Sequence, residues 1–483
     1  PIAFFIHTKL ATLHHNDLTR DTTMSHAAFN TLPLKQELIA NLAELGFEGM
    51  TPIQEQALPH VLEGKDVIAQ AKTGSGKTAV FGLGMLQKLE PKNFSVQSVV
   101  MCPTRELAEQ VAEEIRRLAR PIPNIKVLTL CGGTPLRPQA DSLKFGAHIV
   151  VGTPGRIMDH LEKQTLDLDS VSTLVLDEAD RMLDMGFEDA MEAIVAEIPR
   201  ARQTLLFSAT YPKEIQSMAD HIMVESVTVK LEEQHTGSTI EQDFYRISDE
   251  GERDVAVRLL LLQHRPDSTV IFCNTKRHVK DLTQYLKSYG FSVLALHGDL
   301  DQKERDQALV RFTNNSVSIM VATDVAARGL DIDSLDLVIN YHIASDPEIH
   351  VHRIGRTGRA GNKGNAASIV IGKEKHKLKR LEEYLGQDIE TFGLPDTKLL
   401  NQPTYKAPMS TIQIDGGKKQ KLRPGDILGA LTADYRIEGN DVGKIQIANS
   451  WAYVAVKNDI LDAALQLLNG GKMKGKKFRA TKI

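Results

Sequence analysis

Two stretches of this chain repeat one pattern, in which short β-branched apolar runs alternate with longer amphipathic segments. In the first stretch the runs are Asp66–Ala69, Val99–Cys102, Lys126–Leu130, His148–Val151, Thr173–Leu176 and Thr204–Ser208. In the second they are Thr269–Cys273, Ser292–Leu296, Ser318–Ala322, Leu337–Asn340 and Ala367–Ile371. Such runs are apolar throughout rather than at every second position, so they fit strands buried on both faces, joined by helical crossovers. The pattern predicts two α/β domains with parallel sheets, over 29–232 and 233–396. They part at Glu232–Ser238, where apolar content drops and Gly and Ser appear.

A chain of 483 residues has room for about three domains. Residues 397–408 contain Pro403 and Pro408 and read as a linker. In 409–483 the strand candidates are Thr411–Ile414, Gly443–Ala448, Trp451–Val456 and Lys477–Ala480, with helix candidates Pro424–Ala433 and Asn458–Leu468. The order βαββαβ is a small α+β plan that RNA-recognition (RRM-like) domains use. The charge divides along the same line. Residues 401–483 hold fourteen Lys and Arg against seven Asp and Glu, so this segment is +7 and the rest of the chain, at a total of −4, is −11. A basic module on an acidic body calls for a polyanionic partner.

Cys102, Cys131 and Cys273 are scattered and odd in number, which disfavours a disulfide framework or zinc site and fits a reducing compartment. No apolar run is long enough to span a bilayer. Residues 1–28 read as an extension, expected to be disordered, with Met24 a plausible start; His14 and His15 lack partners for a metal site.

Ala71, Lys72, Thr73, Gly74, Ser75, Gly76, Lys77 and Thr78 follow a strand run and precede the helical stretch Ala79–Leu89. This is a P-loop: small residues let backbone N–H groups wrap phosphates at a helix N-terminus. Lys77 is expected to neutralise the β and γ phosphates of ATP and Thr78 to ligate Mg²⁺. Ala71 replaces the usual first Gly, and a glycine-rich turn with a surface lysine is the plain alternative; the strand–loop–helix context argues against it. The run Thr173–Leu176 ends in Asp177, Glu178, Ala179 and Asp180. Asp177 is expected to hold Mg²⁺ through water, and Glu178 to orient and deprotonate the attacking water. A lone Asp-Glu pair is more often a solvated helix start, but here a P-loop precedes it.

At these residues the chain resembles the DEAD-box RNA helicases, over about 29–396. Gly46-Phe47 and Thr51-Pro52-Ile53-Gln54 resemble the family's Q motif, which implies that Gln54 reads adenine and that Phe29 stacks near the base. Pro103, Thr104 and Arg105 with Glu106-Leu107-Ala108, then Gly132-Gly133, then Thr153, Pro154, Gly155 and Arg156, resemble its first-domain RNA-contacting motifs. Ser208, Ala209 and Thr210 resemble the motif that couples hydrolysis to unwinding. In the second domain Ile271–Thr275, and Gln302 with Arg305, resemble RNA-side and coupling motifs. Ala322–Asp331 resembles motif V, which implies Thr323 at RNA phosphate and Asp331 at the ATP ribose. His352–Arg359 resembles motif VI, which implies coupling through His352 and arginine fingers at Arg356 and Arg359. Two arginines three apart among glycines independently suit a phosphate-facing loop. They lie on a different domain from Lys77, so hydrolysis is expected to need domain closure. The His350-x-His352 pair is weak as a metal motif.

Asp415–Lys419, Arg423–Leu431 and Val442–Ile445 resemble the C-terminal RNA-binding domain of the DbpA group of these helicases. That implies direction to 23S ribosomal RNA, in its hairpin 92 region, within pre-50S particles. Independently, Lys418, Lys419, Lys421 and Arg423 form one basic cluster and Lys472, Lys474, Lys476, Lys477 and Arg479 another, suited to phosphates. Trp451 and Tyr453 share a strand face and can stack bases or pack as core. The first strand has no aromatic, a departure from ordinary RNA-recognition domains that shifts the expected contacts to loops and lysines. The reading is an RNA-stimulated ATPase and helicase using ATP and Mg²⁺, monomeric and in the bacterial cytoplasm. A general RNA helicase or an ATP-controlled RNA clamp without rRNA targeting is the alternative, and a DNA helicase is disfavoured.

Overall fold

A computed structural model describes residues 27–71, 74–231, 240–327, 335–358, 363–433 and 436–483. The first α/β unit holds seven parallel strands, β1 (Val67–Gln70), β2 (Ser98–Met101), β3 (Val127–Leu130), β4 (Ile149–Gly152), β5 (Thr173–Asp177), β6 (Gln203–Ser208) and β7 (Val227–Lys230). Their order across the sheet is β3-β4-β2-β5-β6-β1-β7. The central strands are buried along their whole length, as uninterrupted apolar runs require. Between them run helices such as Arg105–Leu118. Its Leu107, Ala108, Val111, Ala112, Ile115 and Leu118 are buried, an i, i+4 stripe that lays one helix face on the sheet.

The second unit repeats the plan with β8 (Ile240–Ile247), β9 (Thr269–Phe272), β10 (Val293–Leu296), β11 (Ile319–Ala322), β12 (Leu337–Asn340), β13 (Gly364–Ile371) and β14 (Thr391–Phe392), ordered β10-β11-β9-β12-β13-β8-β14. The strands absent from the sequence reading are β7, β8 and β14, at or next to a sheet edge. Their residues mix polar with apolar, so no uninterrupted apolar run marks them. Both sheets are parallel and RecA-like in plan.

The C-terminal domain forms an antiparallel sheet from β15 (Met409–Ile414), β16 (Val442–Ile447), β17 (Ala452–Lys457) and β18 (Ala480–Lys482), ordered β16-β17-β15-β18. Helices Pro424–Leu431 and Leu461–Gly470 cover one face. The last strand starts at Ala480, not Lys477, because the residues before it keep to the turn that carries the lysines. The 397–408 segment is not a loose tether. Leu399, Leu400 and Tyr405 pack on the core of the second unit, and the Arg258 guanidinium donates to the Leu400 carbonyl at 2.9 Å. Residues 1–26 and the Glu232–Ser238 boundary lie outside the described residues.

Candidate nucleotide and RNA sites

Apart from the Q-motif residues, which precede β1, the first-domain motifs follow the carboxyl ends of strands, the edge at which open parallel sheets bind ligands. The P-loop follows β1, Pro103–Arg105 follow β2, Gly133 follows β3, Thr153–Arg156 follow β4, the acidic tetrad closes β5 and Ser208–Thr210 close β6. The loop is strapped to β6, since the Ala71 N–H donates to the Ser208 carbonyl at 3.0 Å and the Gln70 amide to the Ala209 carbonyl at 3.3 Å.

The P-loop bends through left-handed glycines, Gly74 at φ 81° and Gly76 at φ 94°. Gly76 also makes room for a neighbour, since a Cβ there would sit 2.4 Å from Gln54 Nε2. That amide donates to the Gly76 carbonyl at 3.1 Å, its oxygen accepts from the Thr51 N–H at 2.8 Å, and the Thr51 hydroxyl donates to the Ser75 carbonyl at 2.7 Å. Gln54 thus clamps the loop first and keeps one N–H and one lone pair for a base. Phe29 is buried edge-on against Phe47, with ring centroids 6.0 Å apart. Lys72 and Thr73 lie outside the described residues.

Lys77 and Thr78 open the Lys77–Lys88 helix. The Lys77 ammonium is buried and donates to the Ala71 carbonyl at 3.0 Å. Asp177 is buried at the end of β5, and its Oδ1 has no hydrogen-bond partner. Burial pushes its carboxyl up to about 6, against the pull of Lys77 and with a smaller push from Glu178. A buried carboxylate oxygen without a donor, in the same site as the P-loop hydroxyl of Thr78, is a donor set that fits a hard divalent cation such as Mg²⁺. Glu178 takes a left-handed backbone at φ 53°, ψ 52°. For a residue other than glycine this costs about 1 kcal/mol and marks functional sites. Asp180 turns toward Ser208 and Thr210. Its Oδ2 accepts from the Thr210 N–H at 3.1 Å and hydroxyl at 3.0 Å, its Oδ1 from the Arg181 N–H at 3.0 Å, and its own N–H donates to the Ser208 hydroxyl at 3.4 Å.

Among the expected RNA residues, Gly133 has a left-handed φ of 74° and Gly155 faces open space within its helix's first turn. Thr153 caps the Pro154–Glu162 helix, whose N-terminal N–H groups suit a phosphate. Arg156 is committed internally. It donates to Asp159 at 3.0 Å, the Thr134 carbonyl at 2.9 Å and Gln139 at 3.0 Å, and so braces these motifs against one another.

In the second unit Thr323 caps the short Asp324–Ala327 helix, and its hydroxyl accepts from the Ala326 N–H at 3.3 Å. His352 is on the Pro347–Ile354 helix and Arg356 in the turn after it, where its backbone carbonyl accepts from the Leu335 N–H at 3.0 Å. Asp331 and Arg359 lie outside the described residues. The sequence reading gave no role to Arg353, the best-anchored residue of the block. Its five N–H groups go to Asp324 at 2.7 and 2.8 Å, Asn340 at 3.2 Å, the His342 carbonyl at 2.8 Å and Asn274 at 3.1 Å. One guanidinium thereby ties together motif VI, motif V and the block after β9. The available signal was its place between two residues already singled out. His350 is buried on Phe244, pushed down to about 3 by burial and by Arg353, and neutral. No cluster of three metal-ligating residues occurs among the described residues, and no helix there is long and apolar enough to cross a membrane.

In the C-terminal domain the two basic clusters meet. Lys474 Nζ donates to the Lys421 carbonyl at 2.6 Å and pairs with Asp426 at 3.2 Å, next to Arg423. Lys418 and Lys419 are exposed on a turn whose N–H groups donate to the Ala448 and Asn449 carbonyls, and Lys476, two residues after Lys474, is exposed as well. Tyr453 is buried, outside the domain's own core cluster.

The chain matches three family models: DEAD/DEAH box helicase over 51–218, helicase conserved C-terminal domain over 251–361, and DbpA RNA binding domain over 411–482. It is 51% identical to the ATP-dependent RNA helicase DbpA of Escherichia coli K12, over 94% of this chain and 98% of that one. It is 46% identical to the ATP-dependent RNA helicase CshA of Listeria monocytogenes, over 76% of this chain and 70% of that protein. Among solved structures, Saccharomyces cerevisiae Dbp5 bound to RNA and ADP–BeF3 aligns at a TM-score of 0.68 and 33% identity, over 76% of this chain and 95% of that one. The chain belongs to the DEAD-box family of ATP-dependent RNA helicases, within the group that carries a DbpA-type RNA-binding domain.

Proposed function

We propose that this helicase unwinds short RNA duplexes in 23S ribosomal RNA, near the hairpin 92 region, during assembly of the large ribosomal subunit. It works as a cytoplasmic monomer, with 29–232 and 233–396 as its two motor domains and 409–483 as the targeting domain. The observation that carries the targeting is the single patch made by Lys418, Lys419, Lys421, Arg423, Lys474 and Lys476 in a domain of the DbpA type. Such a patch neutralises phosphates, and the fold around it supplies the shape that selects a hairpin.

In the first motor domain Lys77 and the P-loop N–H groups hold the phosphates, and Thr78 and Asp177 would hold Mg²⁺. Bound there, the cation would neutralise charge on the β and γ phosphates. Glu178 orients water and takes its proton. Arg356 and Arg359 stabilise charge on the transferring phosphoryl group, so hydrolysis waits on closure of the two domains. Gln54 and Phe29 face the base, and Asp331 the ribose. Pro103, Thr104, Arg105, Gly133, Thr153, Pro154, Gly155 and Thr323 meet RNA, while Arg156 braces them. Ser208, Ala209, Thr210 and His352 couple hydrolysis to strand separation.

The test compares ATPase stimulation by a 23S rRNA fragment holding the hairpin, an unrelated RNA of equal length and the matching DNA. The expected result is strong preference for the rRNA fragment, lost on removal of 404–483. Equal stimulation by both RNAs would overturn the targeting.

A further inference from the structure

In a parallel sheet with helical crossovers the helices run against the strands, so their C-termini gather at the amino edge. In the first unit that edge is hollow. A cavity of about 790 Å³ lies under the adjacent strands β4, β2 and β5, lined by the segments that lead into them, 94–96, 146–147 and 165–170. The P-loop, the acidic tetrad and the RNA motifs after β2, β3 and β4 sit at the opposite edge, so an occupant here leaves them free.

The floor of the cavity is apolar. Val96, Ala147, Leu166 and Leu168 belong to the buried core of the sheet, and Leu143, Met158 and Leu161 pack on that core half-buried. Phe94 in the wall is 49% exposed, and Phe145, between the lining residues Lys144 and Gly146, is 80% exposed. Single exposed apolar side chains are ordinary on a protein surface, but two phenylalanines at the rim of one apolar cavity mark a place where another molecule binds. The walls are also fixed. Gly146 turns at φ 75°, and a Cβ there would come 2.5 Å from the Phe94 carbonyl oxygen. The Ala147 N–H donates to that carbonyl at 3.0 Å, and the Phe94 and His148 ring centres are 4.9 Å apart. On the other side the Asp167 carboxylate accepts from the Asp169 N–H at 2.8 Å. A site set in advance spares the entropy of ordering it on binding.

The charge at the rim has one sign. Glu162, Asp167, Asp169 and Glu197 line the cavity against a single cation, Lys144, which pairs with Asp141 at 3.0 Å. Three helices end here, Leu136–Leu143, Pro154–Glu162 and Glu188–Ala196, and their C-terminal carbonyls add partial negative charge. The groove therefore repels phosphate, in RNA and in lipid alike, and attracts cations.

We propose that this groove is a docking site for a basic segment of a partner protein, which lays its cations on the acidic rim and its apolar side chains in the cavity. A polycation alone would leave the phenylalanines in water, and an uncharged apolar segment would cover the carboxylates without pairing them. The site holds the partner on the first motor domain without competing for ATP or RNA, whichever RNA the helicase serves.

The test uses the full chain. A phage-displayed library of random peptides of about twelve residues is selected in parallel on the parent and on the double variant Glu162→Lys with Glu197→Lys. Both residues are exposed, and each substitution puts a cation at a helix C-terminus, where it suits the fold. Enriched sequences are synthesised with a fluorophore and titrated by anisotropy. The peptides that the parent enriches should carry net positive charge and at least one large apolar residue. The double variant should bind them about tenfold more weakly at low salt, with the gap narrowing at high salt. Phe145→Ala should bind them about tenfold more weakly at both. RNA-stimulated ATPase of both variants, and RNA affinity of Phe145→Ala, should stay within about twofold of the parent, since the carboxyl edge is untouched. An empty selection, acidic or uncharged peptides, or peptides that bind the variants as tightly as the parent would overturn the dock. A large loss of RNA affinity in Phe145→Ala would assign the groove to RNA. A concentration-dependent dimer in sedimentation that Phe145→Ala dissolves would assign it to a second copy of the chain. Either result removes the partner segment.

Discussion

The two motor sheets share a plan and use their carboxyl edges in opposite ways. At the first edge polar groups are left in need. Asp177 is buried with an oxygen that has no donor, Glu178 sits in a strained backbone and Gly155 faces open space. At the second edge, among the described residues, two buried arginines are saturated. Arg353 spends all five N–H groups. Nearby, Arg253 is fully buried and donates to Glu250 at 2.6 Å, Glu374 at 2.6 Å, the Ile369 carbonyl at 3.2 Å and the Tyr341 carbonyl at 2.5 Å. An edge in need is stabilised by the ligand it awaits. A saturated edge is a rigid frame that can present Arg356 and Thr323 without rearranging. Substitutions at the first edge should therefore change turnover or even add stability, and those at the second should cost folding.

The largest effect is expected at Glu178→Gln. Loss of a general base costs about 10²- to 10⁴-fold in rate. Steady-state ATPase with saturating RNA should fall by that order, while ATP and RNA affinities and the melting temperature stay close to the parent. Turnover equal to the parent would remove Glu178 from the chemistry. Next comes Arg353→Ala, which strips donors from Asp324, Asn340 and Asn274 together. Breaking a buried, fully bonded ion pair costs about 3–5 kcal/mol. Denaturant unfolding should show the second unit melting early and the first unchanged. A loss of activity without that early transition would mean that Arg353 acts on ligand instead of holding the frame.

Asp177→Asn sharpens the contrast by its sign. The native carboxyl titrates near 6, above its ordinary 3.8. The folded state thus holds its proton more tightly than the unfolded state, and ionisation costs stability. That cost is absent below about pH 4, grows as pH rises through 6 and is full above it. The nucleotide-free variant should be more stable than the parent by about 1–3 kcal/mol near neutral pH, and by less at pH 5. Melting curves of both proteins at the two pH values check this. An advantage independent of pH would show that burial of the charge is not its source.

Much of this plan was legible in the residues. Strands buried on both faces announce themselves as unbroken apolar runs, so the expected runs in the two sheets sit within a residue of the strand at both ends, with Ala367–Ile371 the exception. It caught only the latter part of Gly364–Ile371, whose first half is small and polar. Ile240–Ile247 escaped because its consecutive Glu241, Gln242 and Asp243, with Arg246, mask a strand that pairs with β13 along its whole length. The P-loop and the acidic tetrad were readable because phosphate chemistry fixes residue type and spacing together. The roles of Arg353, Asp180 and Arg156 were not, because their work is to hold other motifs, and partners distant in sequence leave no local pattern. The burial of Tyr453 outside the domain's own core was equally hidden, since alternation on a strand tells which residues share a face but not what covers it.

The smallest expected effect lies at Thr210→Val, within the first edge but at its one saturated carboxylate. The substitution removes the hydroxyl that donates to Asp180 at 3.0 Å and keeps the Thr210 N–H that donates to the same oxygen at 3.1 Å. One neutral-to-charged hydrogen bond of this kind is worth about 1.5–3 kcal/mol, and Asp180 keeps its other donors, so the fold should hold. Asp180 lies two residues beyond Glu178, but it faces Ser208 and Thr210, which makes it the link between the hydrolytic tetrad and the coupling motif. Loosening that link should lower ATPase by less than about threefold and the yield of strand displacement per ATP by more, about tenfold for ~1.4 kcal/mol of lost coupling. Parallel measurement of phosphate release and duplex unwinding on one RNA separates the two. If both rates fall together, Thr210 supports the site as a whole, and the first edge has no saturated element set apart for coupling.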